Sequence, residues 1–150
     1  MAVTYEVQTP EGLQGRLGSA EHHLQLADSV VWKGTIAMQV AGKFRAAAGG
    51  VNGSTLLGVS EKTYTTALGV DRPYAIDDPA VFTRGVFGFP GFPGDLPTDA
   101  DIGKDVYIAD NYSIKKTMAT DDLAVKLVAI APPSINSTAV SSRLYFVEIK

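Results

Sequence analysis

A chain of 150 residues with 45% hydrophobic and 19% charged side chains has room for one ordinary domain, and its apolar content is expected to fold rather than stay disordered. Thirteen Lys and Arg against sixteen Asp and Glu leave a net charge of −3, which supplies no electrostatic footprint for sequence-independent phosphate binding, so nucleic acid is not an expected partner. The absence of Cys removes disulfides, thiolate nucleophiles and every Cys-containing zinc site.

Met1 to Val7 carry neither a basic region nor an apolar run of signal-peptide type. No stretch approaches the ~18 apolar residues of a membrane span, so neither secretion nor a membrane is expected. Val3, Tyr5 and Val7 alternate with Thr4 and Glu6 and are followed by Thr9-Pro10-Glu11-Gly12. This reads either as an extended arm added to a neighbour's sheet edge or as a first strand of the protein's own barrel. Residues 1–33 are taken as that arm and a connecting segment, and 34–150 as the folded domain. Ser19 to Ala27, with good helix formers and a Ser able to cap them, is expected as a short helix.

Thr35 to Val40 reads as a strand, Ala41-Gly42-Lys43 as its turn and Phe44 to Ala46 as the returning strand, before Gly49-Gly50 and Asn52-Gly53. Further strands are expected at Leu56 to Ser60, Val81 to Phe87, Asp105 to Ala109, Ser113 to Met118, Ala124 to Ile130 and Arg143 to Ile149. Gly85 to Gly94 reads as a loop stiffened by Pro90 and Pro93. Its Phe87, Phe89 and Phe92 are either tucked over a barrel end or exposed for a partner. Thr98 to Gly103 has the composition of one capped helical turn, and Asp110-Asn111-Tyr112 that of a tight hairpin. In the last strand both Tyr145, Val147, Ile149 and Leu144, Phe146 are apolar, which places it centrally or against a partner subunit. The fold class is therefore all-β, a single small barrel or sandwich with an extended N-terminal arm and little helix.

Catalytic constellations are missing from this pattern. His22 and His23 are adjacent and point apart, so they do not converge on a metal, and no Ser stands in a nucleophile motif. The acidic run from Asp95 through Asp99, Asp101 and Asp105 to Asp110 fails the calcium-loop register, because Gly103 and Lys104 fall at its fifth and sixth places. Glycines of the Phe-rich stretch do not match a phosphate-cradling loop, and prolines remove the donors it needs. A pair of carboxylates in a glycosidase-like cleft is not decided by sequence. No catalytic residue, cofactor or metal ligand is assigned, and the protein is not expected to be an enzyme.

The succession Gly34-Thr35-Ile36-Ala37-Met38-Gln39-Val40, Ala47-Ala48-Gly49-Gly50-Val51, Leu57-Gly58-Val59, Val81-Phe82-Thr83-Arg84-Gly85-Val86 and Asp101-Ile102-Gly103-Lys104-Asp105-Val106-Tyr107-Ile108-Ala109-Asp110 resembles the capsid decoration, or cement, proteins of tailed bacteriophages. The resemblance runs from about Gly34 to Ile149; the first thirty or so residues and the Phe-rich stretch have no counterpart in it. It implies a non-enzymatic β domain, made in the host bacterial cytoplasm, that assembles as a homodimer or homotrimer on the outer face of the shell. There it would staple neighbouring major capsid subunits. On that reading Val3, Tyr5, Val7, Phe87, Phe89 and Phe92 are the candidate contact residues. The other expected role is a glycan- or receptor-binding module of a virion fibre or tail, served by aromatics such as Trp32, Tyr64 and Tyr74.

Overall fold

A computed structural model describes residues 2–22, 25–26, 30–65, 80–131 and 143–150. They form one curled sheet bent into a half-barrel, an all-β fold as expected. Its ten strands are β1 (Glu11–His22), β2 (Gln25–Leu26), β3 (Ile36–Val40), β4 (Lys43–Ala46), β5 (Thr55–Ser60), β6 (Ala80–Pro90), β7 (Asp105–Asp110), β8 (Ser113–Lys115), β9 (Ala124–Ile130) and β10 (Leu144–Ile149). Their order is β2-β4-β3-β5-β6-β10-β9-β7-β8, with β1 paired to β6 off this path.

Local chemistry explains the hairpins. Ala41 and Gly42 connect β3 to β4 with φ of 52° and 76°, the paired left-handed conformation whose twist matches that of the flanking strands. Between β7 and β8 the Asp110 carboxylate accepts the Tyr112 N–H at 2.9 Å, closing an Asx turn at the place the sequence marks for it.

The long strand β6 is the hub. One edge carries β1; the other is shared by β5 at Phe82 and Thr83 and by β10 from Gly85 to Pro90. The sheet therefore forks at Gly85, whose φ of 150° belongs to glycine's range. Across the fork Gly58 has φ 142°, and a Cβ there would lie 2.6 Å from the Thr83 carbonyl oxygen. Only glycine lets β5 approach β6 so closely before the two part.

Forking creates two cores. Ile36 and Val59 from the first branch pack with Phe87, Phe89, Ile108, Leu127, Tyr145 and Val147 from the second. On the opposite face of the first branch Leu26, Ala37, Leu57 and Tyr64 surround Phe44 and Phe82, whose rings meet edge-on at 5.4 Å. Strand β3 thus buries both faces by the period-2 alternation of its side chains, Ile36 toward one core and Ala37 toward the other. In β5 the irregular register opposite Ala37 and Met38 turns Leu57 and Val59 to different cores. Strand β10 lies between β6 and β9 with Tyr145, Val147 and Ile149 buried, the central placement expected of it.

Three expectations change. Ser19 to His22 is the end of strand β1 and Gln25–Leu26 is β2, where a helix was expected; pairing with Ala80 to Thr83 overrides a helical propensity too short to stand alone. Gly85 to Pro90 is strand rather than loop. Strand β8 stops at Lys115, because the next residues turn to Asp95: Lys116 N–H donates to its carbonyl at 3.0 Å and Thr117 N–H to its carboxylate at 3.0 Å. Asp99–Asp101 forms the expected single turn, as a 3-10 helix.

Asp122 fastens the branches together. Its side chain is 1% exposed and accepts the Gly50 N–H at 2.9 Å, the Ala119 N–H at 2.6 Å and the Lys115 ammonium at 2.6 Å. Burial opposes the charge, but Lys115 and the two N–H donors outweigh it and hold the carboxyl below its ordinary pKa. A depressed folded-state pKa contributes stability that is present above the unfolded value and is lost as pH falls through the folded one. Asp122→Asn is therefore expected to lose about 2 kcal/mol at neutral pH, with the deficit against the parent protein shrinking in acid. Urea denaturation across a pH series checks this; a deficit independent of pH would contradict it.

Candidate contact surface

The residues proposed from sequence as contacts lie in two places. Residues 2–10 form no strand, bend at Thr4 and Tyr5, and are laid down on their own chain as a strap. The Val3 N–H donates to Asn111 Oδ1 and the Asn111 Nδ2 donates to the Val3 carbonyl, both at 2.9 Å, so a side-chain amide stands in for a partner strand. Farther along, Val7 N–H donates to the Lys33 carbonyl at 2.9 Å, Thr63 hydroxyl to Glu6 at 2.5 Å and Gly88 N–H to the Pro10 carbonyl at 2.8 Å. The Thr9 hydroxyl donates to the Gly34 carbonyl. Val3 and Val7 are half-buried beneath this stitching, while Tyr5 is 60% exposed.

The three phenylalanines part company. Phe87 and Phe89 are core residues, and the Phe89 ring meets Tyr112 edge-on at 5.7 Å; neither is available to a partner, which corrects the expectation for both. Their glycine neighbours mislead, because these glycines make room for rings instead of turning the chain. A Cβ on Gly88 would lie 2.9 Å from the Phe146 ring, and one on Gly91 2.3 Å from Leu96 and 2.7 Å from the Tyr145 ring. Phe92, just beyond β6, is 38% exposed, and its N–H donates to the Ile114 carbonyl at 2.8 Å. That contact covers the outer edge of β8, which would otherwise offer unpaired backbone groups.

Around Phe92 several loops are tied into one end of the half-barrel. Besides its two backbone donors, Asp95 accepts the Thr117 hydroxyl at 2.9 Å, and the Lys116 ammonium lies 3.6 Å from Asp101. Asp101 in turn accepts the Thr98 N–H at 2.8 Å. That backbone donor, aided by the Thr98 hydroxyl, Lys116 and Lys104, holds the Asp101 carboxyl below its ordinary pKa against the opposing effect of desolvation. Gly103 N–H donates to the Leu127 carbonyl at 2.7 Å. These segments expose Ile102 and Met118, at 44% and 64%, along with Phe92. Sequence reasoning missed Ile102 and Met118; the available signal was a lone apolar side chain inside a polar turn, as in Asp101-Ile102-Gly103 and Thr117-Met118-Ala119.

A cleft of about 100 Å³ lies between the strap and strands β1, β5 and β6. There Arg16 bridges Glu11 at 2.7 Å and Glu61 at 3.3 Å, and Ser19 and Thr83 hydroxyls meet at 2.9 Å. The bridge spans the irregular register of β1 between Glu11 and Arg16, so its evident work is to hold that bulge. Of the aromatics considered for sugar binding, Tyr64 is buried, with its hydroxyl accepting the Val81 N–H at 2.8 Å, Trp32 is half-buried, and Tyr74 lies outside the described residues. His22 pairs through its backbone with Ala80, and His23 lies outside the described residues. No protein-family model, curated protein or solved structure matches this chain.

Proposed function

We propose that this protein is a structural virion component that binds the outer face of a phage capsid and cements neighbouring major capsid subunits, acting as a homodimer or homotrimer. The observation that carries this reading is the loop end, where Phe92, Ile102 and Met118 stand exposed on segments cross-tied through Asp95 and Asp101. Apolar side chains held on an ordered scaffold bind with little further loss of conformational freedom. Attachment by each copy of an oligomer then makes the next attachment effectively intramolecular, so modest contacts suffice for a stable coat. Tyr5 on the strap supplies a second outward aromatic. The sequence pattern from Gly34 to Ile149 supports the same reading independently of the exposed residues.

Mixing the purified protein with undecorated expanded capsids tests it. The double variant Phe92→Ser with Met118→Ser is expected to lower capsid affinity about tenfold or more, while circular dichroism and melting stay close to the parent protein's. Decoration at full affinity by the folded double variant, or no decoration by the parent protein, would refute the proposal.

A further inference from the structure

The chain contains three asparagines, Asn52, Asn111 and Asn136, and the structure distinguishes sharply between the first two; Asn136 lies outside the described residues. Asn52 and Gly53 occupy the exposed turn between β4 and β5. Gly53 has φ 70°, and the space where a Cβ would sit is open. Among the described residues neither the Asn52 amide nor the Gly53 N–H has a hydrogen-bond partner. Asn111 is the opposite case at every point. It is 4% exposed, its amide is doubly bonded to Val3, and the N–H that follows it, of Tyr112, is engaged by Asp110.

We propose that Asn52 is a site of spontaneous covalent modification, in which the Gly53 backbone nitrogen displaces the Asn52 side-chain amide. The Gly53 nitrogen attacks Asn52 Cγ and a new C–N bond forms. The bond from Cγ to the amide nitrogen breaks, and that nitrogen leaves as ammonia carrying the proton lost from Gly53. Water then adds to either carbonyl of the resulting cyclic imide and opens it to aspartate or isoaspartate, with no change of oxidation state. Glycine at the attacking position places no side chain in the way of the approach, and an exposed turn lets the two atoms meet without unfolding the domain. At Asn111 the same reaction has to wait for the strap to release Val3 and for the Asx turn to open, an event whose population falls with its opening free energy.

The product adds one negative charge to a chain already at −3, and the isoaspartate form lengthens the backbone of the turn by a methylene. Gly50, which Asp122 holds, lies two residues before it, so the change is expected to stay local to the β4–β5 connection.

Incubating the folded protein in warm, mildly alkaline buffer and mapping its peptides by mass spectrometry, with enzymatic methylation to detect isoaspartate, tests the assignment. Acid formation at Asn52, as a mixture of the two isomers, is expected to run at least about tenfold faster than at Asn111, because only Asn111 requires prior opening. The rate at Asn111 is expected to rise in denaturant. The variant Asn52→Gln is expected to abolish the isoaspartate signal of that peptide. An Asn52 that survives in the folded protein while it converts in denaturant, or an Asn111 that converts as fast as Asn52 in the folded protein, would overturn the inference.

Discussion

Truncating Phe89 to Ala is expected to destabilise the domain by about 3–5 kcal/mol, the range for removing a fully buried aromatic ring. That is a large share of the roughly 5–15 kcal/mol that holds an ordinary domain together. The ring is wholly buried, lies in the core that joins the two branches, and loses its edge-on contact with Tyr112. Phe92→Ala, three residues on, removes a ring that is 38% exposed and is expected to cost less than about 1 kcal/mol. Chemical denaturation of the two variants separates them, the midpoint falling steeply for the first with little change in slope. Equal and small effects would mean that Phe89 is not the core residue described above, and would return it to the set of contact candidates.

The contrast between these phenylalanines also marks what sequence patterning reveals here. The Ala41-Gly42 turn, the Asp110 to Tyr112 turn and the central placement of Leu144 to Ile149 were legible, because each rests on side chains within a few residues of one another. Strand β1 was not: its Gly18, Ser19 and Ala20 have little strand preference of their own, and their partners are Arg84, Thr83 and Phe82 in β6. Glycines were ambiguous for a related reason. Gly88 and Gly91 signal a turn in isolation, yet serve to admit the Phe146 and Tyr145 rings, which are far along the chain. The polar fasteners were hidden most completely. Asp122 reaches Gly50 across 72 residues and Asn111 reaches Val3 across 108, and nothing in the local pattern separates these side chains from solvent-facing ones. Among the exposed apolar residues, Tyr5 and Phe92 were singled out, whereas Ile102 and Met118 depend on loops brought together through Asp95 and Asp101.

Gly34→Ala is expected to lift the N-terminal strap from the domain. Gly34 has φ 84°, and a Cβ there would fall 1.8 Å from the Val7 carbonyl oxygen. The left-handed conformation alone costs a side-chain-bearing residue roughly 1–2 kcal/mol. The clash adds to that, and because the obstructing atom belongs to the backbone no rotamer change relieves it. Gly34 is not free to move away, since its N–H donates to the Ser60 carbonyl at 2.9 Å; the strap, which lies outside the strands of the sheet, is the part that yields. Once Val7 shifts, its hydrogen bond to Lys33 and the bond from Thr9 to Gly34 are lost, and the strap is left to the Asn111 clamp on Val3, the Thr63 bond to Glu6 and the Gly88 bond to Pro10. Removing that clamp by Asn111→Ala deletes two further hydrogen bonds, each contributing about 0.5–1.5 kcal/mol. The measurement is amide hydrogen exchange residue by residue. In Gly34→Ala the Val7 amide is expected to lose protection, and that of Val3 to follow once Asn111→Ala is added, while those of β6 and β10 keep theirs, because local opening need not involve the core. Protection retained at Val7 would show that the domain accommodates the methyl group elsewhere; protection lost throughout β6 would show that the strap is part of the cooperative core and not an addition to it.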